Sequence, residues 1–192
     1  MFAVDPASQI TSVHDSDRSA ATDMSGHAPT THSRSIPGGE RGERLVEYYP
    51  RLSDLGLAPQ IIQRTEDTIV TRMCLPLFRW LAADPAPETR QEMGRRLCVL
   101  LVSVHSHGIC HRDVHVCNVV LDGGAPLLID LEFAMDSDPK KPCYDLYGPG
   151  PSGLPVPKEH SDHPRNVGGV WWDCTAQVPT LWEAFGPLEN FL

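Results

Sequence analysis

Hydrophobic and polar positions are distributed unevenly along the chain. Residues 1 to 43 hold few large apolar side chains among Ser, Thr, Asp, His and Gly and run into the turn-like "SIPGGERGER". Such a stretch cannot bury enough surface to offset its ordering entropy, and it reads as a disordered tail. In "RLVEYYPRLSDLGL" Leu45, Tyr48, Tyr49 and Leu52 recur at helical spacing, which predicts a short helix from Arg44, interrupted at Pro50 and ending near Gly56. Ile61-Ile62 and Ile69-Val70 flank the polar Thr65-Glu66-Asp67, the pattern of a hairpin, and "PLFRWLAAD" reads as a short helix. Met93, Leu97, Leu100, Leu101 and Val104 fall on one stripe with Arg90, Glu92 and Arg96 mostly off it, predicting a helix over 88–106 that closes near Gly108. "CNVVLD" and "PLLIDL" should be strands joined at Gly123-Gly124. The Pro- and Gly-dense stretch from Pro139 to Gly169 reads as irregular loop, and "VWWDCTAQVPTLWEAFGPL" as partly helical with a break at Pro179. No internal repeat is visible.

Composition narrows the function classes. The chain has 192 residues, 41% hydrophobic and 21% charged, which suits one globular domain with a real core. A formal charge of −9 speaks against a general nucleic-acid binder or an anionic-membrane binder. The apolar run "LCVLLVSV" is far shorter than the roughly 20 residues that span a bilayer, so no membrane helix is expected. The amino terminus has neither a basic start nor an apolar run, and six scattered cysteines form no C-x-x-C pair. Reduced thiols in a cytoplasmic protein, or a nuclear one, are the expectation.

Candidate chemistry lies in "HRDVHVCNVVLDGGAPLLIDLEFA", His111 to Ala134. Phosphoryl transfer from a nucleotide needs a carboxylate to orient or deprotonate the acceptor and oxygen ligands to hold magnesium against the phosphates. Asp113 and Asn118 share a loop that leaves the long helix, and the hairpin should return Asp130 to the same mouth. Asp113 would be the base, and Asn118 and Asp130 the metal ligands.

"HRDVHVCN" resembles the catalytic loop of protein kinases, H-R-D-x-x-x-x-N, and "LIDLEFA" resembles their magnesium-binding aspartate segment. The resemblance extends with falling specificity over 44–192. It implies an α+β, protein kinase-like fold, with a reduced N-terminal lobe and hinge at 44–75 and an incomplete, mainly helical C-terminal lobe at 76–192. It further implies ATP and Mg2+ as cofactors, adenine bound along the hinge at Met73, Cys74 and Leu75, and a catalytic group of Asp113 with Arg112 and His111. "GPSGLPVPKEH" is similar to the peptide-positioning segment, with Glu159 at its acid position, and "GVWWDC" to the start of a buried helix with Asp173 as its aspartate.

Some residues depart from the kinase pattern. Leu131-Glu132 stands where Phe-Gly is usual, and His115 and the "IDLEFA" segment resemble small-molecule kinases of the aminoglycoside and choline type, with His115 on the nucleotide side of the site. Lys140, Lys141 and Lys158 all follow the loop, so no small-lobe lysine is available, and "PGGERG" does not have the spacing of a phosphate-covering loop. Arg64 or Arg72 are candidates for a replacement cation, with a solvated strand residue as the plainer reading. The leading function is transfer of the ATP γ-phosphoryl group to a protein Ser/Thr hydroxyl, with ATP and a protein substrate as partners. The alternatives are a pseudokinase acting as a binding scaffold for a protein partner and a small-molecule kinase. The His- and Cys-rich run from His105 to Cys117 fits no closed zinc template. Cys117 reads as a small buried hydrophobe, and of Trp171 and Trp172 at least one should pack in the core.

Overall fold

A computed structural model describes residues 30–140, 144–147, 166–167, 170–171 and 181–191. The first element, β1 (Thr31–Ser35), lies inside the stretch expected to be disordered. "THSRS" has no apolar period, and its order comes from a partner far along the chain, because it pairs antiparallel with β3 in the register Arg34↔Ile69. The boundary at residue 43 is therefore corrected: β1 and the first turn of the next helix precede it.

That helix, α1 (Glu40–Asp54), begins earlier than the periodicity suggested and runs through Pro50. A proline inside a helix costs about 3 kcal/mol in isolation. Here Leu45, Tyr48, Tyr49 and Leu52 are all buried on one face, and their packing outweighs the lost hydrogen bond. Gly42 is required by a close approach, since a Cβ there would stand 1.8 Å from the Pro37 carbonyl oxygen. This contact lets the chain turn tightly from β1 into α1.

β2 (Ile61–Arg64) and β3 (Thr68–Arg72) form the expected hairpin, with an irregularity between Ile61 and Gln63, and β3 is the centre of a three-stranded sheet ordered β1-β3-β2. β4 (Leu75–Pro76) leads into α2 (Leu77–Ala82) and then α3 (Pro87–Ser106), which matches the predicted long helix and starts on a proline at its first turn. α3 buries Met93, Leu97, Leu100, Leu101 and Val104, as its stripe required. β5 (Ile109–Cys110) follows Gly108, whose N–H donates to the His105 carbonyl and closes the helix.

β6 (Val119–Asp122) and β7 (Ala125–Leu128) are the second predicted hairpin, and both turn glycines, Gly123 and Gly124, have positive φ, the condition for a tight two-residue hairpin turn. β4 joins this pair on the β6 edge, giving a second three-stranded sheet. β8 (Met135–Asp136) pairs with β5. Within the stretch read as irregular loop lie α4 (Tyr144–Tyr147) and β9 (Asn166–Val167), the latter paired with β10 (Val170–Trp171). The final apolar segment supplies α5 (Leu181–Phe185) and a short 3-10 turn at Leu188–Phe191. Pro179, Trp172, Glu159 and Asp173 lie outside the described residues.

The chain is thus a mixed α and β protein with small antiparallel sheets. One core joins the α1 face and the α3 stripe to Val119, Leu121, Leu128, Leu131, Leu146, Leu181 and Leu188. Among the described residues no helix is long and apolar enough to cross a membrane.

Candidate functional site

The loop between β5 and β6 is built around its backbone. His111 and Arg112 donate their N–H groups to the two carboxylate oxygens of Asp145, at 2.5 and 2.8 Å. All three residues are buried. Arg112 has φ 69°, a left-handed conformation that costs about 1–2 kcal/mol in a non-glycine residue and persists only where its surroundings impose it. Asp145 supplies that constraint from α4. Sequence reading missed it, although an acid between large apolar residues in "YDLY" was a usable signal.

His111 closes the loop from the other side. Its Nδ1 accepts the Asp113 N–H at 3.2 Å, so the ring proton sits on Nε2, which donates to the Ile129 carbonyl at 2.8 Å. His111 is thereby a positioning residue that ties the loop to the end of β7. Ile129 N–H in turn donates to the Asn118 carbonyl at 3.0 Å, so the residue before Asp130 is bonded to the residue before β6.

The carboxylate of Asp113 is bracketed. Asn118 Nδ2 donates to Asp113 Oδ2 at 3.1 Å and to the Asp113 carbonyl at 2.9 Å, while His115 Nε2 stands 3.7 Å from Oδ1. His115 Nδ1 accepts the Cys117 N–H at 3.2 Å, which leaves its ring proton on the nitrogen that faces Asp113. With the amide nitrogen of Asn118 committed to Asp113, its carbonyl oxygen is the atom suited to a hard cation. Asn118 Oδ1 and the Asp130 carboxylate are the oxygens that would hold a magnesium ion, which takes few protein ligands and keeps waters or phosphate oxygens for the rest. Among the described residues no group of three His, Cys, Asp or Glu side chains is arranged to hold a metal, so the His- and Cys-rich run builds no such cage there. Cys74 and Cys98 are free thiols.

Asp130 also has a left-handed backbone, φ 64° and ψ 62°, and its carboxylate meets a residue that sequence reading had placed in the disordered tail. Arg34 Nη2 lies 2.9 Å from Asp130 Oδ1 and 2.5 Å from Glu132 Oε1. Burial works against the Arg34 charge, but the two carboxylates outweigh it and push its pKa up, so the guanidinium stays protonated. Further contacts hold α1 against the same loop: Arg41 lies over the Phe133 ring at 5.0 Å, and Arg51 pairs with Asp136 at 3.3 Å. Arg72, one of the cations expected from the sequence, pairs instead with the exposed Asp122 at 3.4 Å, and Arg64 stands at an exposed position of β2.

Behind Arg34 is a cavity of about 40 Å³ lined by His32, Arg34, Tyr49, Ile69, Thr71 and Ile129. It has room for a water molecule and not for a purine ring. Burial raises the Tyr49 hydroxyl pKa well above its ordinary value, against the opposing effect of its hydrogen bond with Thr71. At the expected adenine segment, Met73 donates its N–H to the Thr30 carbonyl at 2.9 Å and Leu75 is paired with Leu121, so both are already engaged in the sheets. The Met73 and Leu75 side chains are exposed, while burial and nearby Asp122 raise the Cys74 thiol pKa. No family model and no curated protein sequence matches this chain.

Proposed function

We propose that the chain is a protein kinase-like phosphotransferase, acting from ATP on a protein Ser/Thr hydroxyl. On this reading β1 to β3 and α1 are the small lobe, the segment from Met73 to Leu75 is the hinge, and the remainder is the large lobe. The observation that carries it is the convergence of Asp113, Asn118 and Asp130: Asn118 is bonded to the base candidate by its side chain and to the residue before Asp130 by its backbone.

Asp113 accepts the proton of the acceptor hydroxyl as that oxygen bonds to the γ-phosphorus, and the bond to the bridging oxygen breaks with its electron pair leaving on ADP. Asn118 holds Asp113 Oδ2, so the carboxylate meets the acceptor in one orientation. Magnesium held by Asn118 and Asp130 would neutralise charge on the phosphates.

A scaffold without turnover is the second reading, favoured by the Arg34 ion pair on Asp130 and by the internal bond of the Met73 N–H. His115, directed at Asp113, and Glu132 support a small-molecule acceptor as the third.

Melting temperature with and without ATP and Mg2+, compared between wild type and Asp130→Ala, tests nucleotide binding. A rise confined to wild type is expected, and no rise in either form overturns the reading. Radiolabelled phosphate transfer that Asp113→Asn lowers by about 10² or more identifies an enzyme. Binding without transfer selects the scaffold.

A further inference from the structure

Arg34 pairs with the candidate metal ligand Asp130 and with Glu132, and its geometry is that of a bridge. A single terminal nitrogen reaches two carboxylates, Asp130 at 2.9 Å and Glu132 at 2.5 Å. Arg34 is held in place by β1, whose register with β3 puts it opposite Ile69, and by the turn around Gly42 that seats α1 against the Asp130 loop. The side chains of Arg34 and Asp130 remain about 27% and 31% exposed, so a ligand can reach both.

The trio of one guanidinium and two carboxylates carries a net charge of −1. A divalent cation that approaches Asp130 alone must compete with Arg34 for the carboxylate and leave the guanidinium with Glu132 only. A polyphosphate that approaches alone meets the Asp130 charge. Arriving together, they exchange partners: the cation takes Asp130, the phosphate oxygens take the freed donors of Arg34, and Glu132 keeps hold of the guanidinium throughout. The planar five-donor fork of arginine is suited to serve Glu132 and a phosphate at once.

We propose that Arg34 is the phosphate-contacting cation of this site and that its bridge to Asp130 is a resting lock, so that metal and polyphosphate bind as a pair. The inference rests on the phosphotransferase reading and deepens it by naming the residue that joins the two halves of the ligand. No covalent step is involved.

The test uses the full chain and two probes, Mn2+ alone followed by electron paramagnetic resonance, and MgATP followed by calorimetry. In Arg34→Gln the two affinities are expected to move in opposite directions. MgATP binds about ten- to a hundredfold more weakly, the loss of one charge-assisted contact, while Mn2+ alone binds several-fold more tightly because Asp130 is released. A misfolded variant would lose both, so the opposition of sign is the diagnostic. Arg34→Lys keeps the charge without the fork and provides the second arm: MgATP is weakened less than in Arg34→Gln, and Mn2+ alone binds as in wild type. If Arg34→Gln binds MgATP like wild type, or if Mn2+ binds no more tightly, the inference is overturned while the phosphotransferase reading stands. If wild type binds no MgATP, both fall.

Discussion

Asp145 accepts the backbone N–H of Arg112 at 2.8 Å from 33 residues away, and with its other oxygen it accepts the N–H of His111. A buried carboxylate that satisfies two adjacent backbone donors is the anchor that keeps Arg112 left-handed and Asp113 aimed. Asp145→Asn turns one acceptor into an NH2 group facing an N–H. The expected cost is about 2–3 kcal/mol of unfolding free energy, as for charge-assisted hydrogen bonds lost in a buried site. Urea unfolding measures it, and a change below about 0.5 kcal/mol would show that Asp145 does not anchor the loop.

Gly42→Ala should disturb the site from a distance. Its new Cβ meets a backbone oxygen, which cannot rotate away, so either β1 or the start of α1 must shift. The expected loss is about 3 kcal/mol, at the upper end of overpacking costs. Arg34 should leave Asp130 with it, so the variant is expected to share the Mn2+ behaviour of Arg34→Gln. A variant as stable as wild type would contradict the tight turn.

Arg72→Ala separates the cation that sequence reading proposed from the one in the site. The Arg72–Asp122 pair is exposed at both ends, and such pairs contribute about 0.2–1 kcal/mol. Stability is expected to fall by no more than that, with MgATP affinity unchanged. A loss of affinity comparable to that of Arg34→Gln would move the phosphate contact to Arg72.

Alkaline stability should report on Tyr49. Its folded pKa is raised by burial above the ordinary value of about 10, so its contribution is complete below that pH. As pH rises further the unfolded chain ionises first and stability is lost, at about 1.4 kcal/mol per pH unit for this one group, until the folded pKa is passed. Tyr49→Phe should remove that share of the alkaline slope while losing the Thr71 hydrogen bond at neutral pH. Denaturant midpoints from pH 8 to 11 measure it, and equal slopes in the two proteins would contradict a buried neutral phenol.

Much of the molecule was legible in the chain by itself. The α3 stripe, the two glycine-turned strands and the order of Asp113, Asn118 and Asp130 are local patterns, set by side chains within a turn or a strand of one another. What escaped depends on partners far away in sequence. "THSRS" becomes a strand because β3 offers it a hydrogen-bonding edge, and Pro50 stays within α1 because the helix face is buried on both sides of it. Arg34 looked like one more polar residue in a tail, yet it meets Asp130 at a separation of 96 residues. Asp145 sat in a stretch that reads as loop, yet it holds the backbone of His111 and Arg112. Local periodicity therefore determined most of the helices and strands, and the spacing within one stretch marked the candidate residues, while only tertiary pairing, where long-range hydrogen bonds and charges outweigh weak local preference, decided which cation and which anchor stand beside them.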